Sequence, residues 1–309
     1  MNTLLSRLPL LLAAALLAAA VPARGEEPAA PAPAPSEDSA PLAPPRHFGT
    51  DFLERSSLLT HHGNRGDFRR RMLSRGLSED EALDLLREIV VSLRSPGETD
   101  GDWRRRYALT RAVSAVGAFA PSNALPFARS LLRNGDSRIL FSASGAYWSL
   151  VEQDLSLLSD MDELLSGSFP GRDEAAYFLY EKRVGSHLRW GGPDADARRA
   201  LSRFLLERTA TERSQFAVLD EILCEEVPRW RGSALRLARA ERLADARPGD
   251  AAAAALAASV RADATAARAG DGPSVRRPPA GAVESVDDLL LDLPDREPWR
   301  PAPGQEIYR

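Results

Sequence analysis

The sequence predicts an all-α chain, an α-solenoid of about four to five stacked helical hairpins flanked by two segments with no core of their own. Three observations lead there. Ala and Leu dominate an apolar fraction of 44%, and only 6% of residues are aromatic, a balance that favours helix over pleated sheet. A short start motif recurs at Gly66-Asp67, Gly101-Asp102, Gly135-Asp136 and Gly171-Arg172-Asp173, at steps of 35, 34 and 36 residues. Each period carries two amphipathic stretches, the signature of a helical repeat whose units bury one another's apolar faces.

Residues 1–23 read as a signal peptide. Arg7 precedes an apolar run from Leu8 to Val21, and Val21-Pro22-Ala23 suits cleavage near Ala23. The run is shorter than the roughly 20 residues that span a bilayer, so membrane contact is expected only if the segment stays uncleaved. The expected location is periplasmic or secreted. Residues 24–46, with "EEPAAPAPAPSEDSAPLAPP" inside them, alternate Pro and Ala and read as a disordered linker.

Residues 47–268 hold the repeats. Gly is suited to end a turn, and Asp67, Asp102, Asp136 and Asp173 are suited to accept from the free amides of a new helix. A weaker copy starts at Ala210, with Thr211 in the acid's place. The apolar rhythm after each start is helical: Leu109, Ala112, Val113 and Val116, then Ile139, Ala143, Ala146 and Leu150, then Phe216, Leu219 and Leu223. The alternate helices open differently. Ser78-Glu79-Asp80-Glu81 is a capping box leading into the stripe Leu85, Leu86, Ile89 and Leu93. Its counterparts begin near Ser122, Asp154 and Asp194. The helix from Phe68 is cut short by Gly76.

Residues 269–309 return to Pro and Gly and read as a disordered tail with one island, a possible short helix over 283–293. Val286, Leu289, Leu290 and Leu293 share a helical face opposite acids. That helix is expected to fold either on a partner or on its own chain.

The run from Asp102 to Leu150 resembles tandem HEAT repeats of the short bacterial kind. Gly117, Pro121, Ala124-Leu125-Pro126 and Gly135-Asp136 stand where such repeats end one Ala-rich helix, turn, open the next and cap the following one. The resemblance implies a right-handed α-solenoid whose work is binding.

The chemistry sought in the sequence is mostly missing, so no catalytic, cofactor or metal residue is assigned. His61 and His62 are adjacent and point apart, and no histidine pair has the spacing of a helical metal site. Lys182 is the sole lysine, which removes a Walker-type phosphate loop and a Ser-x-x-Lys acylase. Neighbouring acids such as Glu225-Glu226 read as solvated faces. The lone Cys224 cannot pair within the chain and reads as a buried thiol, and the Arg65-Gly66-Asp67 triplet falls on a helix start. Trp103, Trp148, Trp190 and Trp230 read as core. With a formal charge of −4 and arginine bias of the kind a GC-rich bacterial genome gives, nucleic acid is not an expected partner.

A protein or peptide partner is expected. The candidate contacts are a basic ridge of Arg69, Arg70, Arg104, Arg105 and Arg138 at the helix starts, and Leu289 and Leu290 of the tail helix. The expected function is therefore a non-enzymatic, exported binding or scaffold protein. Two alternatives stand beside it: an enzyme or enzyme subunit with a site between repeats, using His187 and the acids of the Asp173 helix, and a structural spacer of the cell envelope.

Overall fold

The computed structural model describes residues 48–59, 64–94, 103–269, 284–291 and 293. The predicted signal peptide, the Pro/Ala-rich linker and most of the tail lie outside these residues, as do His47, His61, His62 and Asp102. Among the described residues the protein is helical with no strand. It divides into two compact units, one over 40–228 and 286–309, the other including 229–285.

The larger unit contains α1 (Thr50–Arg55), α2 (Asp67–Leu73), α3 (Glu79–Arg94), α4 (Trp103–Ala115), α5 (Pro121–Arg133), α6 (Leu140–Gln153), α7 (Leu158–Ser166) and α8 (Arg172–Tyr177). There α8 runs on as a π-helical segment, Phe178–Gly185 and His187–Gly191, before α9 (Ala195–Arg208) and α10 (Phe216–Glu226). Successive first helices pack on one another: α2 on α4, α4 on α6, α6 on the π segment, and the π segment on α10. The apolar residues predicted to face inward after the helix starts do so, while Leu85 of the α3 stripe is half-buried. Ala112, Val113 and Val116 are fully buried, as are Ile139, Ala143, Ala146 and Leu150, while Leu109, Phe216, Leu219 and Leu223 are also core.

The alternate helices start as their sequences dictate. At α3 the Ser78 amide donates to Glu81 Oε2 at 2.7 Å and the Glu81 amide to Ser78 Oγ at 3.2 Å, which is the reciprocal capping box. Asp154 accepts from the Ser156 amide and Asp194 from the Ala197 amide, each at the head of its helix.

The repeated acids behave differently from expectation. Neither α2, α6 nor α8 has a side-chain cap on its first amides. Asp136 precedes α6 and accepts from the Arg138 amide and guanidinium, with Arg94 Nε at 3.3 Å. Asp173 binds Arg172 and Ser214. Charge-assisted partners hold these carboxylates more strongly than a backbone amide would. Thr211 sits in the turn ahead of α10 and donates to the Arg208 carbonyl instead. Gly135 keeps its turn role: at φ +64° its α-hydrogen faces the Pro170 carbonyl, where a Cβ would collide.

Polar groups buried in the larger unit are joined into a network. Glu212 receives Arg172 and Arg208, and Arg208 also reaches Asp162 at 2.7 Å and Tyr180 Oη at 3.1 Å. Burial works against ionised Glu212, but hydrogen bonds from Arg172 and Ser214 and the two guanidinium charges outweigh it and hold the carboxyl below the usual range. Burial pushes the Tyr180 phenol up to about 12.

The tail helix, α13 (Val286–Leu290), packs on α9. Leu289 and Leu290 are buried there, Arg199 Nη1 donates to the Leu290 carbonyl at 3.2 Å, and Arg203 pairs with Asp287. Of the two fates expected for this helix, the structure has it folded on its own chain.

The second unit is a hairpin of α11 (Ala234–Ala246) and α12 (Ala251–Ala269) with a 3-10 turn at Trp230–Gly232. Ser233 and Asp250 cap the two helices. Ala253, Ala257, Val260 and Ala264 form the buried stripe of α12, small enough for close helix approach, and Trp230 is fully buried beneath Arg239.

Candidate binding surface

Among the described residues, π winding falls on "FLYEKRVGSHLRWG", Phe178 to Gly191, just after Tyr177. In an α-helix, residues five apart point roughly 140° from each other. The wider π turn brings such pairs to one side. Tyr177 and Lys182 meet, with the ammonium 5.5 Å from the ring centroid. Phe178 and Arg183 both meet Phe141 of α6: the rings lie edge to face at 5.3 Å, and the guanidinium lies 4.4 Å over the Phe141 ring.

The facing side of α6 is Phe141, Gly145, Trp148, Ser149 and Glu152. Arg183 Nη2 donates to the Phe141 carbonyl at 3.0 Å, and a Cβ on Gly145 would stand 2.7 Å from that nitrogen, so glycine makes the bed for the guanidinium. Arg65 Nη1 donates to Ser149 Oγ one turn further along. His187 Nδ1 lies 3.0 Å from Glu152 Oε1, with its ring edge to face on Trp148 at 5.5 Å. Burial opposes ionisation of Glu152, but His187, Trp148 and the Arg65 charge together hold it below the usual carboxylate range. Burial, aided by Arg65, lowers the Arg183 pKa.

This patch is exposed at Phe141 and half-buried at Phe178, Arg183 and His187, over buried Gly145, Trp148 and Ser149. Phe141 is 50% and Trp190 64% accessible, and Trp103 on α4 is 53% accessible. Trp103 and Trp190 thus depart from the expected core role, which Trp148 and Trp230 fill. Cys224 is half-buried on α10.

Each arginine of the predicted ridge has a partner within its own chain. Arg69 holds Glu79 through two hydrogen bonds at 3.1 and 3.0 Å, Arg70 pairs with Asp67, and Arg138 with Asp136. Arg104 lies over Trp103, and Arg105 donates to the Ser92 carbonyl. Leu289 and Leu290 are covered by α13's packing on α9. Sequence reading missed Phe141, Phe178 and Arg183. The signal that points to them is the five-residue spacing of aromatic and cation in "YFLYEKR".

For the enzyme alternative, among the described residues His187 meets a single carboxylate, Glu152, and Asp173 is engaged elsewhere. Ser149 donates its proton to the Gly145 carbonyl at 3.0 Å, not to the imidazole. Among the described residues no group of three His, Cys, Asp or Glu side chains is placed to hold a metal ion, and no helix is long and apolar enough to cross a membrane. No family model matches the chain, and neither a curated protein nor a solved structure matches it.

Proposed function

We propose that this is an exported binding protein, a HEAT-like α-solenoid of four to five hairpins that presents its first-helix side to a protein or peptide partner. The observation that carries the reading is the exposed aromatic and cationic patch built by α6 and the π segment. Exposed Phe141 beneath the Arg183 guanidinium has the composition of an interface anchor rather than of ordinary surface. Stacking of α2, α4, α6, the π segment and α10 in chain order supports the solenoid. The terminal apolar run supports export to the periplasm or beyond.

The test is in-cell crosslinking with a photoreactive residue placed at Phe141, and in a second strain at Arg133, exposed on α5. A discrete adduct from position 141 and none from 133 is the expected result. Equal or no adducts would reject the assigned face. Recovery of the chain from the envelope fraction with a new N-terminus at Arg24 checks export.

A further inference from the structure

We propose that the α6 and π-segment surface binds an acidic peptide segment, one Asp or Glu carboxylate entering between Arg65 and Arg183 while a neighbouring apolar side chain lies on Phe141 and Phe178. This rests on the binding reading above and names the chemistry of the partner.

The first support is unspent hydrogen-bonding capacity. The Arg183 guanidinium gives Nη2 to the Phe141 carbonyl, while its Nε is buried with no acceptor among the described residues. Nε is sealed from any arriving acceptor, so the donor open to a ligand is Nη1, which has no hydrogen bond among the described residues and is not buried. Arg65, an exposed arginine, is held among the described residues through Ser149.

Charge is the second support. Most buried or half-buried arginines of this unit have a carboxylate: Arg94 has Asp136, Arg129 has Asp160, Arg172 has Glu212, Arg189 has Glu225, Arg198 has Glu226 and Arg208 has Asp162. No ion pair among the described residues joins Arg65 or Arg183 to an acid. Glu152 is felt by both but is bonded to His187 and Trp148, and Glu181 is shared between Lys182 and Arg189. Burial is the main cause of the lowered Arg183 pKa, repulsion from Arg65 adds to it, and Glu152, already bonded to His187, is the one carboxylate that opposes it. A carboxylate between them relieves that repulsion and accepts several charge-assisted bonds.

The third support is preorganisation. The bare Gly145 lets the guanidinium lie flat on α6, the Phe141 ring stacks on it, and the π winding sets Phe178 beside it. An arginine clamped on three sides loses little freedom on binding. The adjoining aromatic edges supply the apolar half of the recognised segment.

The experiment is fluorescence anisotropy on the intact chain with a labelled peptide of alternating Leu and Glu, and with its Leu-Gln analogue. Saturable binding of the Glu peptide is expected, weakened at least tenfold by Arg183→Gln, by Arg65→Gln and in the Gln analogue, and unchanged by Arg133→Gln. Gly145→Ala, which displaces the guanidinium without removing its charge, is expected to weaken binding as well, at an unchanged unfolding midpoint. Equal binding of the two peptides, or full affinity in Arg183→Gln, would overturn the proposal. Displacement by inorganic phosphate, with Phe141→Ala leaving peptide affinity unchanged, would overturn it in favour of a small-anion site. If the peptide fails to bind while position 141 still crosslinks a partner, the acidic chemistry is wrong and the binding reading stands. Failure of both removes both.

Discussion

Helix α3 and the Tyr177–Gly191 stretch have comparable length and apolar content, yet one follows its local rules throughout and the other abandons them. In α3, Ser78 and Glu81 cap each other, and Leu86, Ile89 and Val90 are fully buried on one stripe. The helix needs nothing beyond its own residues and an apolar neighbour. In the π segment, Arg183 and His187 take positions that α6 explains, through Phe141, Gly145 and Glu152. The lesson is that regular winding serves stability here, and irregular winding coincides with exposed aromatic and cationic chemistry.

Substitutions can break this comparison in order of effect. The largest is expected from Glu212→Gln, next to the π segment's origin, because Arg172 and Arg208 would keep their charges without the carboxylate they share. About 3 kcal/mol or more of unfolding free energy should be lost, measured by urea titration. The same residue sets an acid dependence. Its folded pKa lies below the unfolded value of about 4.5, so its stabilisation is complete above that pH and is lost as pH falls through the lower folded value. Stability of the Glu212→Gln protein should therefore vary less with pH below about 4.5 than that of the parent.

Leu86→Ala, at a fully buried position on α3, should cost about 3 kcal/mol through lost burial and the cavity left behind. Ser78→Ala should cost about 1 kcal/mol, the worth of an N-cap, with the loss confined to the first turns of α3 in amide exchange. Gly145→Ala should be smallest, within about 0.5 kcal/mol, because the new methyl meets the movable end of Arg183 rather than backbone. Near-parental stability with displaced Arg183 would sharpen the contrast: the residue serves the surface, not the fold.

The helical class and the alternate helix starts were legible because caps and apolar periods are local. Asp194 and the Ser78 box needed only their own neighbours in sequence. The repeated acids misled, because Asp136 and Asp173 look like caps, while adjacent arginines and the distant Arg94 and Ser214 take up their oxygens. The candidate surface was hidden for the same reason. Phe141 and Arg183 lie 42 positions apart, and their joining depends on packing of α6 against a turn type with no simple sequence rule. The tail helix lay between: its apolar face was readable, its docking on α9 was not.

Hydrogen–deuterium exchange on the intact chain, with and without the Leu-Glu peptide at saturation, tests the central claim most directly. Protection of residues 140–153 and 177–191, with α9 and α13 unchanged, is the expected footprint. Protection confined to α9 and α13, or none in α6 and the π segment while the peptide is bound, would contradict it.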